Sequence, residues 1–193
     1  MLPNSPSRRT FTLAAFITLG TLAGSHNLLA ATPAENFVLK TGNAIMSAAR
    51  ARSVGKFRAV LQSKGAISTI AIFSLGPYRK KLPASRKREY YGLVAGHISK
   101  VFAKHSSKLA GKSISIVSSR QRGKSVIVKS KVKYPSGKQA NVTWRLVKRG
   151  GAYKIFDVNV QGIWLASTQK TDFTSVLKRS NGDINALFSY LKK

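Results

Sequence analysis

The sequence contains no cysteine, only 5 acidic residues among 193, and 3 histidines. Without cysteine there is no disulfide, no thiolate metal site, no cysteine nucleophile and no lipidated N-terminal cysteine. The acids are Glu35, Glu89, Asp157, Asp172 and Asp183; the histidines are His26, His97 and His105. That is a thin stock for acid–base chemistry. Base is plentiful instead: 34 Lys and Arg against 5 acids give a formal charge of +29. Hydrophobic residues make up 43%, too many for a disordered basic tail. The length favours one domain. A folded core under a cationic surface attracts polyanions and anionic membranes.

The first residues read as an address. Arg8-Arg9-Thr10-Phe11 precedes an apolar run from Leu13 to Gly24, and small residues follow at Ala30-Ala31. A basic segment, an apolar stretch and a small-residue cleavage region make a secretory signal peptide. The apolar run falls short of the ~20 residues a bilayer span requires. The Arg8-Arg9 pair with Phe11 also fits twin-arginine export, with general secretory export as the alternative. Residues 1–31 are thus expected to be a signal peptide and residues 32–193 one domain. Loss of Arg8 and Arg9 lowers the charge by two, to +27. No later segment is apolar enough to span a membrane, so a soluble, extracytoplasmic domain is expected.

Hydrophobic spacing divides this domain into three parts. Residues 35–64 read as helix with apolar stripes at Phe37, Ile45, Ala48 and Ala49 and at Phe57, Val60 and Leu61, bent or broken at Gly55. Residues 66–78 read as a short buried helix closed by Gly76-Pro77. After a basic run around Pro83, Tyr90, Val94, Ile98, Val101 and Phe102 recur at helical steps, with Lys100, Lys104 and Lys108 opposite. From residue 113 the period becomes two. Val126, Val128, Val132 and Tyr134 alternate with lysines; Val142, Trp144 and Leu146 alternate with Asn141, Thr143 and Arg145. Phe156, Val158 and Val160 alternate with Asp157 and Asn159. Turn residues sit at Arg122-Gly123, Pro135-Ser136-Gly137 and Gly150-Gly151. Helical spacing returns over 163–179 and 183–191, with Asp183 as the cap of the last helix. The expected fold is α+β: a curved antiparallel four-stranded meander packed by helices on one face, able to enclose an apolar cavity.

Four segments in register carry a resemblance. They are Ala66–Lys80 with Leu75-Gly76-Pro77-Tyr78, the Leu82-Pro83-Ala84-Ser85-Arg86 helix start, Tyr153–Gly162, and Phe173–Leu177 followed by Gly182, Ile184 and Leu187. Over about residues 36–192 the chain resembles the MlaC or toluene-tolerance family. The resemblance implies a cystatin- or nuclear-transport-factor-like (NTF2-like) fold and a periplasmic phospholipid carrier. It also implies partners: an inner-membrane ABC transporter with a lipid-binding domain and an outer-membrane lipoprotein complex. Some relatives are linked to hopanoid lipids. The chain departs from the family pattern at Gly65-Ala66, Ile72 and Arg79, where the family carries Phe-Asp, arginine and tryptophan. Those departures are expected to bear on the partner surfaces and the exact lipid and to leave the pocket argument standing.

The residues suit that task. An acyl chain of about 15 methylenes costs on the order of 12 kcal/mol to expose to water at ~0.8 kcal/mol per CH₂. A carrier therefore needs a long dry cavity, near or beyond the top of the ~300–1,000 Å³ range. Val126, Val128, Val142, Trp144, Leu146, Phe156, Val158 and Val160 offer the strand floor. Ile70, Phe73, Val94, Ile98 and Phe102 offer the helical wall. The same pattern also describes plain core. Arg79, Lys80 and Lys81 beside the apolar 66–78 segment are candidates for head-group or membrane contact, or else solvated surface charge. No cofactor or metal is expected.

Two other classes compete. Nucleic-acid binding would use the charge, but the basic residues spread over every segment, no aromatic stacking platform is evident, and export removes the target. An enzyme on an NTF2-like cone would need a buried base. Alternation places Asp157 on the polar side of its strand. His97 neighbours Ile98 as a structural residue, and no Ser-His-Asp set or glycine phosphate loop is present.

Overall fold

The computed structural model describes residues 31–193, so the expected signal peptide lies, but for Ala31, outside the described residues. Helix α1 spans Pro33–Arg50. Its start is a capping box: Thr32 Oγ1 accepts from the Glu35 N–H, and Glu35 accepts from the Thr32 N–H at 2.8 Å. Pro33 adds a first-turn residue that needs no N–H partner. Glu35 also accepts from Ser119 Oγ at 2.5 Å, tying the helix to the sheet. The helix ends at Ala51, and Arg52 takes a left-handed φ of 47°. Ser53 then caps α2, Val54–Lys64, by accepting from the Lys56 N–H.

The break therefore falls three residues before Gly55, which sits inside the first turn of α2. A left-handed arginine followed by a serine cap ends one helix and starts the next without a glycine.

Gly65 leaves α2 extended, and the Ala66 N–H donates to the Ile155 carbonyl at 2.8 Å, anchoring the helices to the sheet. Helix α3, Ile67–Ser74, ends at Gly76, whose φ is 53°. A 3₁₀ turn over Gly76–Lys81 and another over Ala84–Arg86 lead into α4, Lys87–Lys104.

Five strands follow: β1 Ser113–Arg122, β2 Ser125–Lys133, β3 Gln139–Arg149, β4 Ala152–Val160 and β5 Ile163–Trp164. They lie in chain order, and every pairing is antiparallel. The meander is as expected but has five strands rather than four. Gln161 and Gly162, with φ of 51° and 93°, make a tight turn that folds Ile163–Trp164 back onto β4. Two residues are too short to show a period, so the fifth strand left no alternation to read.

Helices α5, Leu165–Arg179, and α6, Ile184–Lys192, close the chain. Asp183 caps α6 by accepting from the Asn185 N–H at 2.8 Å. Helix α1 packs against β1 and β2, whereas α2, α3 and α5 meet β4.

The inner rows of the sheet follow the alternation over β2 and β3. Val128 pairs with Trp144 and Trp144 with Val158; Val142 pairs with Val160. Trp144 Nε1 donates to Ser130 Oγ at 2.9 Å, which satisfies the one polar atom this indole brings inside.

The alternation breaks in β4. Arg145 pairs with Asp157 but Leu146 with Ile155, leaving Phe156 as a bulge residue. Phe156 turns to meet Phe73 of α3 edge-on, ring centroids 5.4 Å apart. Asp157, expected on the wet side, is only 4% exposed. The extra residue shifts the phase of the strand and turns this carboxyl toward the first turn of α5.

Candidate functional site

Three apolar clusters build the interior. One joins α3, α4, α5 and α6 around Tyr90, Val94, Phe173 and Phe188. The second joins α1 to the sheet around Val38, Val128, Trp144 and Leu146. The third is small: Ala48, Ala49 and Phe57, where α1 meets α2. They do not close on one another. Where they meet, a cavity of about 160 Å³ remains.

Phe57, Val60 and Leu61 of α2, Ile98, Val101 and Phe102 of α4, and Ile155–Val158 of β4 form its main walls. Ile45, Gly65, Ile70 and the α5 residues Leu165, Ala166, Thr168 and Gln169 complete it. A second hollow of about 60 Å³ lies over Val142, Trp144 and Val160. Ile45, Phe102, Val158 and Leu165 border both spaces and form the partition between them. At ~24 cal/mol per Å³, an unfilled void the size of the larger cavity costs the fold on the order of 4 kcal/mol. An apolar guest would offset much of that.

The expected site residues divide. Ile70, Ile98, Phe102, Phe156 and Val158 line the larger cavity. Phe102, Val142, Trp144, Val158 and Val160 line the smaller. Phe73, Val94, Val126, Val128 and Leu146 line neither. Val94, Val128 and Leu146 are fully buried in close-packed core, Val126 packs at the edge of the sheet cluster, and Phe73 packs on Phe156. Arg79, Lys80 and Lys81 also lie outside both linings, exposed on the 3₁₀ turn after α3. Lys81 Nζ donates to the Asn181 carbonyl at 3.1 Å.

Each hollow is smaller than expected for two acyl chains, because the partition side chains stand in the intervening space.

Sequence reasoning missed Ile45, Val101, the α2 wall and the α5 residues as lining. The signal for α2 was present, since Phe57, Val60 and Leu61 form a stripe. Leu165–Gln169 shows no stripe; the bulge in β4 and the turn into β5 place it.

The lining is apolar except at one corner. Asp157 Oδ1 accepts from the Val158 and Ala166 N–H groups, both at 2.8 Å. The carboxylate so satisfies the start of α5, where Trp164 at the cap position offers no side-chain acceptor. Burial pushes the Asp157 carboxyl above the usual aspartate range; the two N–H donors and the Arg145 charge pull the other way and do not prevail. The Arg145 guanidinium instead lies over the Trp164 ring, 4.7 Å from its centroid.

One turn along α5, Gln169 Oε1 is buried with no hydrogen-bond partner. His97 lines neither hollow; it packs between the Phe173 and Tyr190 rings, and burial lowers its pKa.

The fold has a solved counterpart. It is similar to a phospholipid-binding protein from Ralstonia solanacearum, determined in complex with a phospholipid, at a TM-score of 0.70 and 16% identity. The match covers 83% of this chain and 96% of that one. At that identity the likeness establishes the fold. The search of curated proteins gives no match. A family model described as MlaC protein matches residues 36–193, which is most of the sequence, so the chain belongs to the MlaC family.

Proposed function

We propose that this protein is a periplasmic carrier that shelters the acyl chains of a phospholipid between an outer-membrane and an inner-membrane transport complex. One observation carries the reading: an apolar cavity sits at the junction of three clusters, beside a second hollow behind a thin partition. Family membership and the phospholipid bound to the similar solved protein support it. The work of such a carrier is burial. Removing one chain from water is worth on the order of 12 kcal/mol. Binding therefore requires the partition at Ile45, Phe102, Val158 and Leu165 to part and merge the two spaces. The outer-membrane lipoprotein and the ABC transporter enter as docking partners on the same reading, and bond-making plays no part in it.

The test is native mass spectrometry of the protein purified from a Gram-negative periplasm, with lipid extraction of the same sample. The expected result is a stoichiometric phospholipid adduct. Val101→Phe, which fills the larger cavity, should lose the adduct while keeping the wild-type circular dichroism spectrum. A wild-type protein that emerges empty, and takes up no phospholipid from vesicles, overturns the reading.

A further inference from the structure

The polar corner of the larger cavity is unbalanced. Asp157 Oδ1 already accepts two backbone N–H bonds, but Oδ2 accepts none among the described residues. Gln169 Oε1 accepts none either, and it is the one buried side-chain polar atom without a partner among the described residues. The two residues are linked through the start of α5. Asp157 holds the Ala166 N–H, and Gln169 follows Ala166 by three positions on the same helical face. Both residues line the cavity. Thr168, the third polar lining residue, spends its hydroxyl proton on the Trp164 carbonyl at 3.1 Å.

Asp157 Oδ2 and Gln169 Oε1 are thus unpaired acceptors on two residues that line one apolar cavity, the amide oxygen enclosed by its neighbours. A buried acceptor left unpaired is costly, and a guest that supplies the missing donor removes the cost.

We propose that Asp157 and Gln169 form a hydrogen-bond subsite for a free hydroxyl on the lipid. The cavity then selects hydroxyl-bearing lipids over otherwise equal lipids with no donor at that depth. The proposal rests on the carrier reading above and gives it a ligand preference. Its ligand class is an aliphatic lipid with an unesterified hydroxyl near the start of its apolar part, as in a single-chain glycerophospholipid.

The probe pair is a single-chain glycerophosphocholine with a free hydroxyl on the middle glycerol carbon, and its methyl ether. The two share head group and chain and differ in one donor. A second pair, a mid-chain hydroxylated fatty acid and the unsubstituted acid, separates a glycerol hydroxyl from a chain hydroxyl as the source. Binding of each to the whole domain is measured by equilibrium dialysis.

Wild type should prefer the hydroxyl member of at least one pair about tenfold, the ratio one satisfied buried acceptor supports. Gln169→Met keeps the length and removes the acceptor. Its preference should fall to about twofold or less, chiefly because the donor-free lipid binds better. Asp157→Asn keeps one oxygen for the helix start and puts N–H donors beside it, and it should erode the preference too.

Equal binding within both pairs by wild type overturns the subsite and leaves the carrier reading intact. A preference unchanged in both variants overturns the assignment to these residues. Failure to bind any of the four lipids or a diacyl phospholipid overturns both readings together.

Discussion

Asp157 joins a structural duty to an electrostatic cost. Its carboxylate anchors the first turn of α5, yet burial holds its pKa above the unfolded value. The folded state then binds this proton more tightly than the unfolded chain. The group's contribution to stability is present below the unfolded pKa and is lost as pH rises through the raised folded pKa. Glu35 runs the opposite way: the Ser119 and Thr32 hydrogen bonds lower its pKa, so its contribution is lost as pH falls. The two overlap in a melting profile, so the useful measurement is a difference. Thermal unfolding of wild type against Asp157→Asn should show the variant losing less stability between the ordinary aspartate range and neutrality. Parallel profiles would remove this account.

Little of this was legible at the residue scale. Phe156-Asp157-Val158 reads as plain alternation, and nothing in those letters announces the bulge. It shows only in the register against β3, where one extra residue re-aims a carboxylate from solvent to cavity. Val128 and Val142 likewise share a face of the sheet, yet one is solid core and the other is cavity wall. Alternation reports the face and not what stands opposite it.

At the scale of elements, the junction between α2 and α3 bears on the cavity most directly. Gly65 lines the larger cavity, and a β-carbon there would lie 2.6 Å from the Leu61 carbonyl oxygen. That obstacle is backbone and cannot turn aside. Gly65→Ala should cost about 1–3 kcal/mol in a denaturant titration, typical of overpacking. It should also weaken the bridge from Ala66 to Ile155. An unchanged midpoint would mean that the helix end relaxes freely.

The elements themselves were largely readable, because caps, turns and periods are local. Strands β1–β3, α4 and α6 follow their spacing, β4 forms where expected but loses its period at Phe156, the apolar 66–78 segment holds α3, and Asp183 caps as its position implies. Two failures have local causes. Weight placed on Gly55 hid the Arg52–Ser53 break, and β5 is too brief to carry a period.

Over the whole molecule, charge dominates. Glu89 alone makes side-chain ion pairs among the described residues, with Arg86 at 3.0 Å and Lys192 at 4.0 Å. Most of the basic groups therefore project unpaired. Lys129, Lys131 and Lys133 alternate along the exposed side of β2, opposite Thr143, Asn141 and Gln139. On the carrier reading such a surface should draw the protein to anionic bilayers, an attraction screened within about 10 Å at 0.1 M salt. Lipid extraction from anionic vesicles should fall steeply with added salt and should be slow from zwitterionic vesicles at any salt. Neutralising Arg79, Lys80 and Lys81 together should reduce extraction from anionic vesicles only. Extraction unchanged across a salt series would show that charge has no part in it. The composition alone announced the excess of positive charge; how much room the interior leaves emerged only once three clusters could be placed against one another.

The two tryptophans divide the molecule between them. Trp144 borders the smaller hollow with its N–H held by Ser130, and Trp164 lies beneath a guanidinium at the start of the last helical pair. They are the only tryptophans in the chain. The protein therefore carries two indole fluorophores, one bordering the smaller hollow and one outside both hollows. An emission change confined to the first would report filling of the interior in real time, with no label attached.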